Sequence, residues 1–461
     1  MVFSSIIFVF FFLPAVLFCY YVCPKNLRNC VLLVFSLLFY SWGEPVYILI
    51  MLFSAAFDYA NGLVIERLRH EKRPGAAKAV MINSVVINLG ILGFFKYGNF
   101  IIDNLNAALN LSIDPLDVAL PLGISFYTFQ TLSYTIDVYR DRVQAQRNIV
   151  SFGVYVSMFP QLIAGPIVQY RDIGGQLSQR TESISAFSYG IKRFIIGLSK
   201  KALLANNIGL LWEQISAADI LSLSAGTAWL GAVAFSFQIY FDFSGYSDMA
   251  IGLGSMFGFS FPENFNLPYR ARSITEFWRR WHISLGAWFR EYVYIPLGGN
   301  RKGPARLVLN LLIVWGLTGL WHGASWNFVL WGLFFGLLLI MEKLCPEKIL
   351  CRIPDLLRHI FTLILVIFSW MIFAFEDLGQ MTGYLKAMLG LNQQRFMGSE
   401  LMYYISANLI LLSACAVCSF SPQIPCRYYK LCRVPMYFLL FFLCICFLVG
   451  DTYNPFLYFR F

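Results

Sequence analysis

The chain has 461 residues, of which 58% are hydrophobic, 18% are aromatic and only 13% are charged. An ordinary soluble domain carries roughly 25% charged residues, so this composition excludes a soluble globular protein and indicates a polytopic membrane protein. The formal net charge of +10 does not indicate nucleic-acid binding, because the Lys and Arg residues lie in short loops between apolar runs, where the positive-inside rule accounts for them.

Apolar runs that are long enough to cross a bilayer recur from residues 4–22 to residues 436–450. A helical crossing needs roughly 20 residues, so we expect an all-α fold with about 10–12 transmembrane helices. No low-complexity linker divides the chain. We therefore expect a single membrane domain over 1–461, with a motif-bearing core at about 30–345 and further C-terminal helices at about 357–450.

Two stretches differ from plain spans. Residues 157–167 read SMFPQLIAGPI, a short apolar run with two prolines and a glycine between basic flanks, which predicts a re-entrant segment that dips in from the cytoplasmic side. Residues 261–299 are apolar and aromatic but carry several arginines, so they cannot face lipid as one straight helix. We expect short helices there, packed at the cytoplasmic face.

A histidine interrupts the apolar run at 316–328, which reads GLTGLWHGASWNF. If the flanking runs are helices, this stretch is a break within the membrane, where Gly316, Gly319 and Gly323 permit close helix approach or a turn. Ionisable groups at membrane depth mark reaction centres or pathways, and a desolvated imidazole resists protonation. His322 is therefore a candidate general base; the alternative is a histidine that only fixes helix packing.

A second histidine, His282, lies in the stretch ITEFWRRWHISLGAWFREYVYIPLGGNRKG, residues 274–303. One interpretation is that aromatic belts and positive-inside anchors have this composition in general. The other is a binding site for a phosphate-bearing cytoplasmic donor, because guanidinium groups match phosphate geometry. Arg279 and Arg280 are then the candidate phosphate-binding residues.

Two aspartates interrupt the otherwise apolar run at 235–270. Asp242 and Asp248 need partners at membrane depth, so we expect either a polar cavity or ion pairs with arginines further along the chain. A cation transporter would use such residues as well. We expect no metal ion, because no pair of histidines and carboxylates has ligand spacing.

Three motifs follow one another in this part of the chain: IYFDFSGYSDMAIGLGSMFGF, PENFNLPYRARSITEFWRRWHISLGAWFREYVYIPLGGNRKG and NLLIVWGLTGLWHGASWNFVLWG. Together with FYTFQTLSYTIDVYR (126–140) and FPQLIAGPI (159–167), they resemble the bacterial membrane-bound O-acyltransferase family. Within that family the resemblance is to the branch of the alginate O-acetyltransferase membrane subunit. The likeness covers residues 30–345, whereas the C-terminal third matches only in hydropathy.

The resemblance implies that the W-H-G histidine, His322, is catalytic and that the R-W-H histidine, His282, is a second functional residue. It implies a ring of helices around a central tunnel in the cytoplasmic (inner) membrane. Acetyl-CoA would be the cytoplasmic acyl donor, with no permanently bound cofactor, and hydroxyls of an extracytoplasmic polysaccharide would be the acceptor. An SGNH-type acetyltransferase or esterase-like partner outside the membrane would complete delivery.

The expected mechanism needs a deprotonated oxygen held against the thioester carbonyl. Neutral His322 would remove that proton, a contribution typically worth ~10²–10⁴-fold. Candidate donors to the developing oxyanion are Asn327 and the indole N–H of Trp321 or Trp326, and Asp242 would line the substrate site.

Two alternative functions follow from the same residues. One is D-alanyl transfer to teichoic acid in a related branch of the family, although the stretch YIPLGGNRKG favours acetyl transfer. The other is a secondary transporter that uses Asp242 and Asp248 for coupling. A transporter predicts paired broken helices in two similar halves, which the sequence does not contain. The identity of the acceptor polysaccharide does not follow from the sequence.

Overall fold

A computed structural model of the chain describes residues 1–346, 352–392, 394, 396–421, 433–450 and 456–457. Every regular element in these ranges is helical, which confirms the all-α prediction. The helices that precede residue 200 are α1 (Leu13–Val22), α2 (Arg28–Ser41), α3 (Ile48–His70), α4 (Pro74–Leu109), α5 (Ile124–Tyr139), α6 (Ile149–Ser157), α7 (Phe159–Leu162), α8 (Tyr170–Ser178) and α9 (Ile184–Ser199).

The remaining helices include two very short ones, α12 and α13, at the place where the sequence predicts them. These helices are α10 (Asn206–Ser216), α11 (Ala225–Met256), α12 (Ile274–Arg280), α13 (Ile283–Phe289), α14 (Pro304–His322), α15 (Trp326–Leu344), α16 (Asp355–Ala374), α17 (Leu378–Met388), α18 (Ser399–Ala407), α19 (Leu409–Phe420) and α20 (Arg433–Gly450).

Several helices are long and apolar enough to cross a membrane, so the chain is a multi-pass membrane protein. Among the described residues there are six such helices: α3, α4, the continuous stretch Ile184–Ser216, α14, α15 and α16. The bent pair α18 and α19 would form a seventh. The larger predicted number of crossings also includes shorter apolar helices, such as Phe8–Val22 and Val434–Gly450, and stays a prediction.

The chain forms two compact units. The first contains Met1–Ile196 and Tyr246–Glu263, and the second contains Gly197–Gly245 and Asn264–Phe461. The second unit contains His322, His282, Asp242, Arg279, Arg280, Asn327 and Trp321, whereas Asp248 belongs to the first unit. The single domain and the central tunnel that we expected from the sequence stay predictions.

The first unit contains the predicted broken stretch. Helix α6 ends at Ser157, α7 is a single turn, and no regular element follows it until residue 170. Residues 158–168 are all buried, which agrees with the rule that irregular backbone at membrane depth is enclosed by protein or lines a cavity. Re-entry of this stretch into the membrane from the cytoplasmic side stays a prediction.

The first unit also pairs Asp248 with Arg193, whose guanidinium lies 2.7 Å from the carboxylate. We expected Asp248 to pair, if at all, with arginines further along the chain. That expectation is wrong, because the cation precedes the carboxylate and is carried by α9.

In the second unit, α14 and α15 form a tight helical hairpin. Pro304 stands in the first turn of α14, where its missing N–H is not needed. A Cβ added at Gly319 would lie 2.2 Å from the carbonyl oxygen of Phe328, and one added at Gly332 would lie 2.3 Å from that of Trp315. The two backbones therefore touch, and this close approach needs glycine on both helices.

Candidate active site

His322 is the last residue of α14 and is only 6% exposed. Helix α14 runs through the predicted break, which is confined to the three residues between His322 and Trp326. Gly323 closes the turn, since a Cβ there would lie 2.2 Å from the ring of Phe328. Gly316, by contrast, has no heavy atom within 4 Å of its Cβ position, so it contributes nothing to the packing we expected of it.

The imidazole of His322 is enclosed by aromatic rings. Its ring centroid lies 4.9 Å from that of Trp331, 5.0 Å from that of Trp321 and 5.4 Å from that of Phe373, each in an edge-to-face arrangement. Edge-to-face contacts are favourable for aromatic pairs. They fix the plane of the imidazole and restrict the access of bulk water to it.

A small cavity adjoins His322. Its volume is about 20 Å³, which is room for one water molecule. Its polar lining residues are His322 and Asp242, and the rest of its wall is formed by Ile239, Phe243, Trp281, Trp331, Trp370, Phe373 and Leu457. His322, the predicted base, and Asp242, the predicted substrate-site carboxylate, therefore line the same cavity.

Asp242 is held by a buried ion pair. Its Oδ1 accepts a hydrogen bond from Lys201 Nζ, and both side chains are only 3% exposed. Its Oδ2 accepts one from the backbone N–H of Leu457 at 2.7 Å. The alternative of a polar cavity at Asp242 stays a prediction, since the adjoining cavity is lined mainly by apolar and aromatic side chains. Pairing with downstream arginines is wrong, because the cation is a lysine that precedes Asp242 in the chain.

His282 lies between α12 and α13 and is 1% exposed. Its backbone has φ +44° and ψ +54°, a left-handed conformation that is strained for a residue with a side chain. The imidazole packs against Phe243, with ring centroids 4.7 Å apart. Burial lowers the pKa of His282 to about 3, so its imidazole is neutral at any physiological pH.

One indole joins the two histidines. The ring centroid of Trp321 lies 5.0 Å from that of His322 and 5.8 Å from that of His282. The structure therefore brings together the two histidines that the sequence singled out, although 40 positions separate them in the chain.

Asn327 is fully buried in the first turn of α15. Its amide nitrogen donates to the backbone carbonyl of Phe373 at 3.1 Å, and this bond ties α15 to α16. Roles of Asn327 and Trp321 as donors to an oxyanion stay predictions.

Arg279 and Arg280 differ in their surroundings. Arg280 pairs with Glu276 at 2.9 Å and donates to the carbonyl oxygen of Asn266 at 3.0 Å. Arg279 is exposed, and its guanidinium has no ion-pair or hydrogen-bond partner among the residues that the structure describes. Binding of phosphate by either residue stays a prediction, and Arg279 is the better placed of the two.

The sequence did not point to Lys201, Trp370, Phe373 or Leu457. The only signal for Lys201 is a pair of lysines inside the apolar run 194–205. Trp370, Phe373 and Leu457 belong to the C-terminal third, where only hydropathy was informative. A cluster of histidine, cysteine or carboxylate side chains that could hold a metal ion is not found in the described part of the chain.

These features define a class: a multi-pass membrane protein with two buried histidines, one of which lines a small aromatic cavity. A model of the membrane-bound O-acyltransferase family matches residues 140–390. The probable alginate O-acetylase of Pseudomonas aeruginosa is 44% identical over 82% of this chain and 73% of its own length. The peptidoglycan O-acetyltransferase of Helicobacter pylori is 35% identical over 85% of this chain and 80% of its own length.

The teichoic acid D-alanyltransferase of Streptococcus thermophilus is more distant, 28% identical over 49% of this chain and 58% of its own length. The chain belongs to the membrane-bound O-acyltransferase family, as the motifs predict. It is a membrane O-acetyltransferase of the alginate O-acetylase and peptidoglycan O-acetyltransferase type.

Proposed function

We propose that the chain takes an acetyl group from cytoplasmic acetyl-CoA and passes it across the inner membrane to hydroxyls of an extracytoplasmic polysaccharide. The observation that carries the proposal is the pairing of His322 with a small aromatic cavity. A base that is enclosed in this way sits where water is scarce, and scarcity of water protects a thioester from hydrolysis. An SGNH-type partner outside the membrane would complete delivery to the glycan.

In the proposed reaction, His322 takes the proton of the attacking hydroxyl as its oxygen bonds to the thioester carbonyl carbon. The tetrahedral intermediate then collapses, the carbon–sulfur bond breaks, and the leaving coenzyme A thiolate takes the proton back from His322, which returns to its neutral form. The products are an O-acetyl ester and free coenzyme A, so atoms and charges balance. General base catalysis by a positioned imidazole is typically worth ~10²–10⁴-fold.

The donor would be held by its phosphates at the cytoplasmic end. Arg279 is exposed and supports this assignment, because guanidinium groups bind phosphate through charge-assisted hydrogen bonds. Arg280 is engaged by Glu276 and supports it less. Asp242, neutralised by Lys201, would shape the acyl site without adding net charge.

The test is acetyl transfer in cells or membrane vesicles that receive labelled acetyl-CoA precursors. His322→Ala is expected to abolish label in extracellular glycan while protein remains in the membrane at wild-type level. His70→Ala is the matched control, because His70 is an exposed histidine at the end of α3 and is expected to leave labelling unchanged.

Wild-type labelling in His322→Ala would overturn the role of His322. Label in lipid instead of glycan would overturn the proposed acceptor. Incorporation of labelled D-alanine in place of acetate would favour the teichoic acid alternative, which the lower identity to D-alanyltransferases makes the second candidate.

A further inference from the structure

Asn264 makes several contacts with the turn that carries His282. Its backbone carbonyl accepts a hydrogen bond from the N–H of Ile283 at 3.0 Å. Its side-chain Oδ1 accepts one from the backbone N–H of Ser284 at 3.2 Å and one from the Ser284 hydroxyl at 2.8 Å. The same Oδ1 lies 3.2 Å from Nδ1 of His282, and Asn264 is fully buried.

The orientation of the Asn264 amide follows from these contacts. A backbone N–H is always a donor, so the atom that faces the Ser284 N–H has to be the carbonyl oxygen and not the amide NH₂ group. The atom that faces His282 Nδ1 is therefore also an acceptor. A neutral imidazole has one donor and one acceptor nitrogen, so Nδ1 has to carry the hydrogen.

We infer that Asn264 is a positioning residue, which fixes His282 in the Nδ1–H tautomer and so presents Nε2 as a hydrogen-bond acceptor inside the protein. Nε2 is buried and has no hydrogen-bond partner among the described residues. A lone pair that is buried without a partner is costly, and a catalytic role, in which a substrate supplies the missing donor, is one of the reasons for which proteins retain it. The inference deepens the proposed function and rests on it, since that donor would belong to a substrate.

The left-handed backbone of His282 supports the same conclusion. Strain of this kind persists only where the surroundings over-determine the conformation. Asn264 supplies the constraint, because it is hydrogen-bonded to Ile283, to Ser284 and to the imidazole of His282. The alternative is that Asn264 only caps the first turn of α13, as polar side chains commonly do.

The groups that pack on the imidazole, namely Phe243, Trp321 and Asn264, are not titratable. Charged or titratable side chains on the elements around it include Asp242 and Asp248 on α11, His322 and Arg306 on α14, Glu276, Arg279 and Arg280 on α12, and Glu263 next to Asn264 in the chain. Asp248 is paired with Arg193. Asp242 is neutralised by Lys201 and Arg280 by Glu276. The tautomer of His282 therefore depends mainly on Asn264.

The test uses full-length protein in detergent or lipid with ¹⁵N-labelled histidine, observed by NMR. The chain has only four histidines, and a His282→Ala variant identifies the signal of His282. In the wild type, Nδ1 is expected to be protonated and Nε2 unprotonated from pH 5 to pH 8. An Nε2–H tautomer, or a mixture of both tautomers, would overturn the inference.

Asn264→Asp separates a positioning role from a capping role. Aspartate caps a helix as well as asparagine does, so a role limited to capping, with no bond between Oδ1 and the imidazole, predicts no change in the histidine spectrum. A positioning role predicts a change, because a carboxylate beside Nδ1–H stabilises the imidazolium, so Nε2 becomes protonated within the range pH 5–8. An unchanged titration would contradict the inference. Ser284→Ala is the control, since it removes a donor to Oδ1 but not the contact with the imidazole, and its His282 spectrum is expected to match the wild type.

Activity provides the second measurement. Asn264→Ala is expected to lower kcat about tenfold, the worth of one hydrogen bond, with little change in the donor KM, and Asn264→Asp to shift the acid limb of kcat/KM to higher pH. In a His282→Ala background neither change should alter activity further. Wild-type activity in His282→Ala would overturn the proposed role of His282 while leaving the tautomer result standing, so the two failures are distinguishable.

Discussion

The two buried histidines are held in place by different means. His322 ends a long helix whose partner approaches it backbone to backbone at Gly319, and it shares a cavity with the charged Asp242. His282 stands in a strained turn between two seven-residue helices, and the side chain of Asn264 holds it. Its packing neighbours are neutral.

This difference indicates which substitutions should displace each histidine. The position of His322 depends on van der Waals packing between α14 and α15 and on the charge balance of the cavity. The position of His282 depends on hydrogen bonds to a single amide. Substitutions that act on packing or on charge should therefore affect the His322 region most, whereas substitutions that remove one acceptor should affect His282.

The largest effect is expected from Lys201→Met, which leaves Asp242 buried without its cation. Removing one partner of a buried ion pair costs about 3–5 kcal/mol, because the remaining charge is uncompensated. We expect a marked fall in the thermal unfolding temperature in detergent and loss of acetyl transfer.

The double variant Lys201→Met/Asp242→Asn is the control. It removes both charges, and a neutral pair of similar volume is often tolerated, so most of the lost stability should return. If the double variant is no more stable than Lys201→Met, the unpaired charge of Asp242 is not the cause of the lost stability, and the ion pair does not stabilise the region around His322.

The next effect is expected from Gly319→Ala. The added Cβ would lie 2.2 Å from a backbone oxygen of α15, and a backbone atom cannot move aside as a flexible side chain would. Overpacking of this kind costs about 1–3 kcal/mol, and the separation of the helices should displace His322. Thermal unfolding and acetyl transfer measure the two consequences.

Gly316→Ala provides the matched control, one turn earlier on the same helix. Its Cβ meets no heavy atom within 4 Å, so stability and activity should remain close to those of the wild type. Equal damage from both substitutions would indicate a general effect of alanine in α14 and not a close helix contact.

A third prediction concerns acid. Burial lowers the pKa of His282 from 6.5 to about 3, so the folded protein binds fewer protons than the unfolded chain between these values. Stability is therefore full above pH 6.5 and falls as the pH drops, by about 2 kcal/mol between pH 7 and pH 5. His282→Gln should lose this part of the pH dependence, which thermal unfolding at the two pH values would measure. A variant as acid-sensitive as the wild type would contradict a buried neutral imidazole.

The sequence predicted the helices that carry the two histidines better than the contacts that these helices make with distant parts of the chain. Local signals identified the hairpin around His322 and the short helices around His282, because glycine, proline and histidine in an apolar run have few structural explanations. The partner of His282 was not predictable, since Asn264 lies 18 positions away and its spacing has no helical or strand period. Lys201 was missed for a similar reason. A lysine in an apolar run needs an acidic partner, but the sequence offers both Asp242 and Asp248 for that role.

The smallest effects are expected at the arginine pair. Arg280→Gln breaks a pair between positions four residues apart on α12, which is worth about 0.3–0.5 kcal/mol, and should leave the donor KM nearly unchanged. Arg279→Gln should leave stability unchanged but raise the KM for acetyl-CoA about tenfold, the worth of one charge-assisted hydrogen bond. Initial rates in vesicles at varied acetyl-CoA would measure both.

This pair separates a structural arginine from a ligand-binding one on adjacent positions of the same helix. Because both variants lose the same charge, a general electrostatic attraction of the donor would raise both KM values equally. A rise for Arg279→Gln alone would locate the donor phosphates at the exposed guanidinium. Unchanged KM values in both folded variants would place the donor elsewhere. Helix α12, which precedes His282, would then not carry the phosphate-binding site.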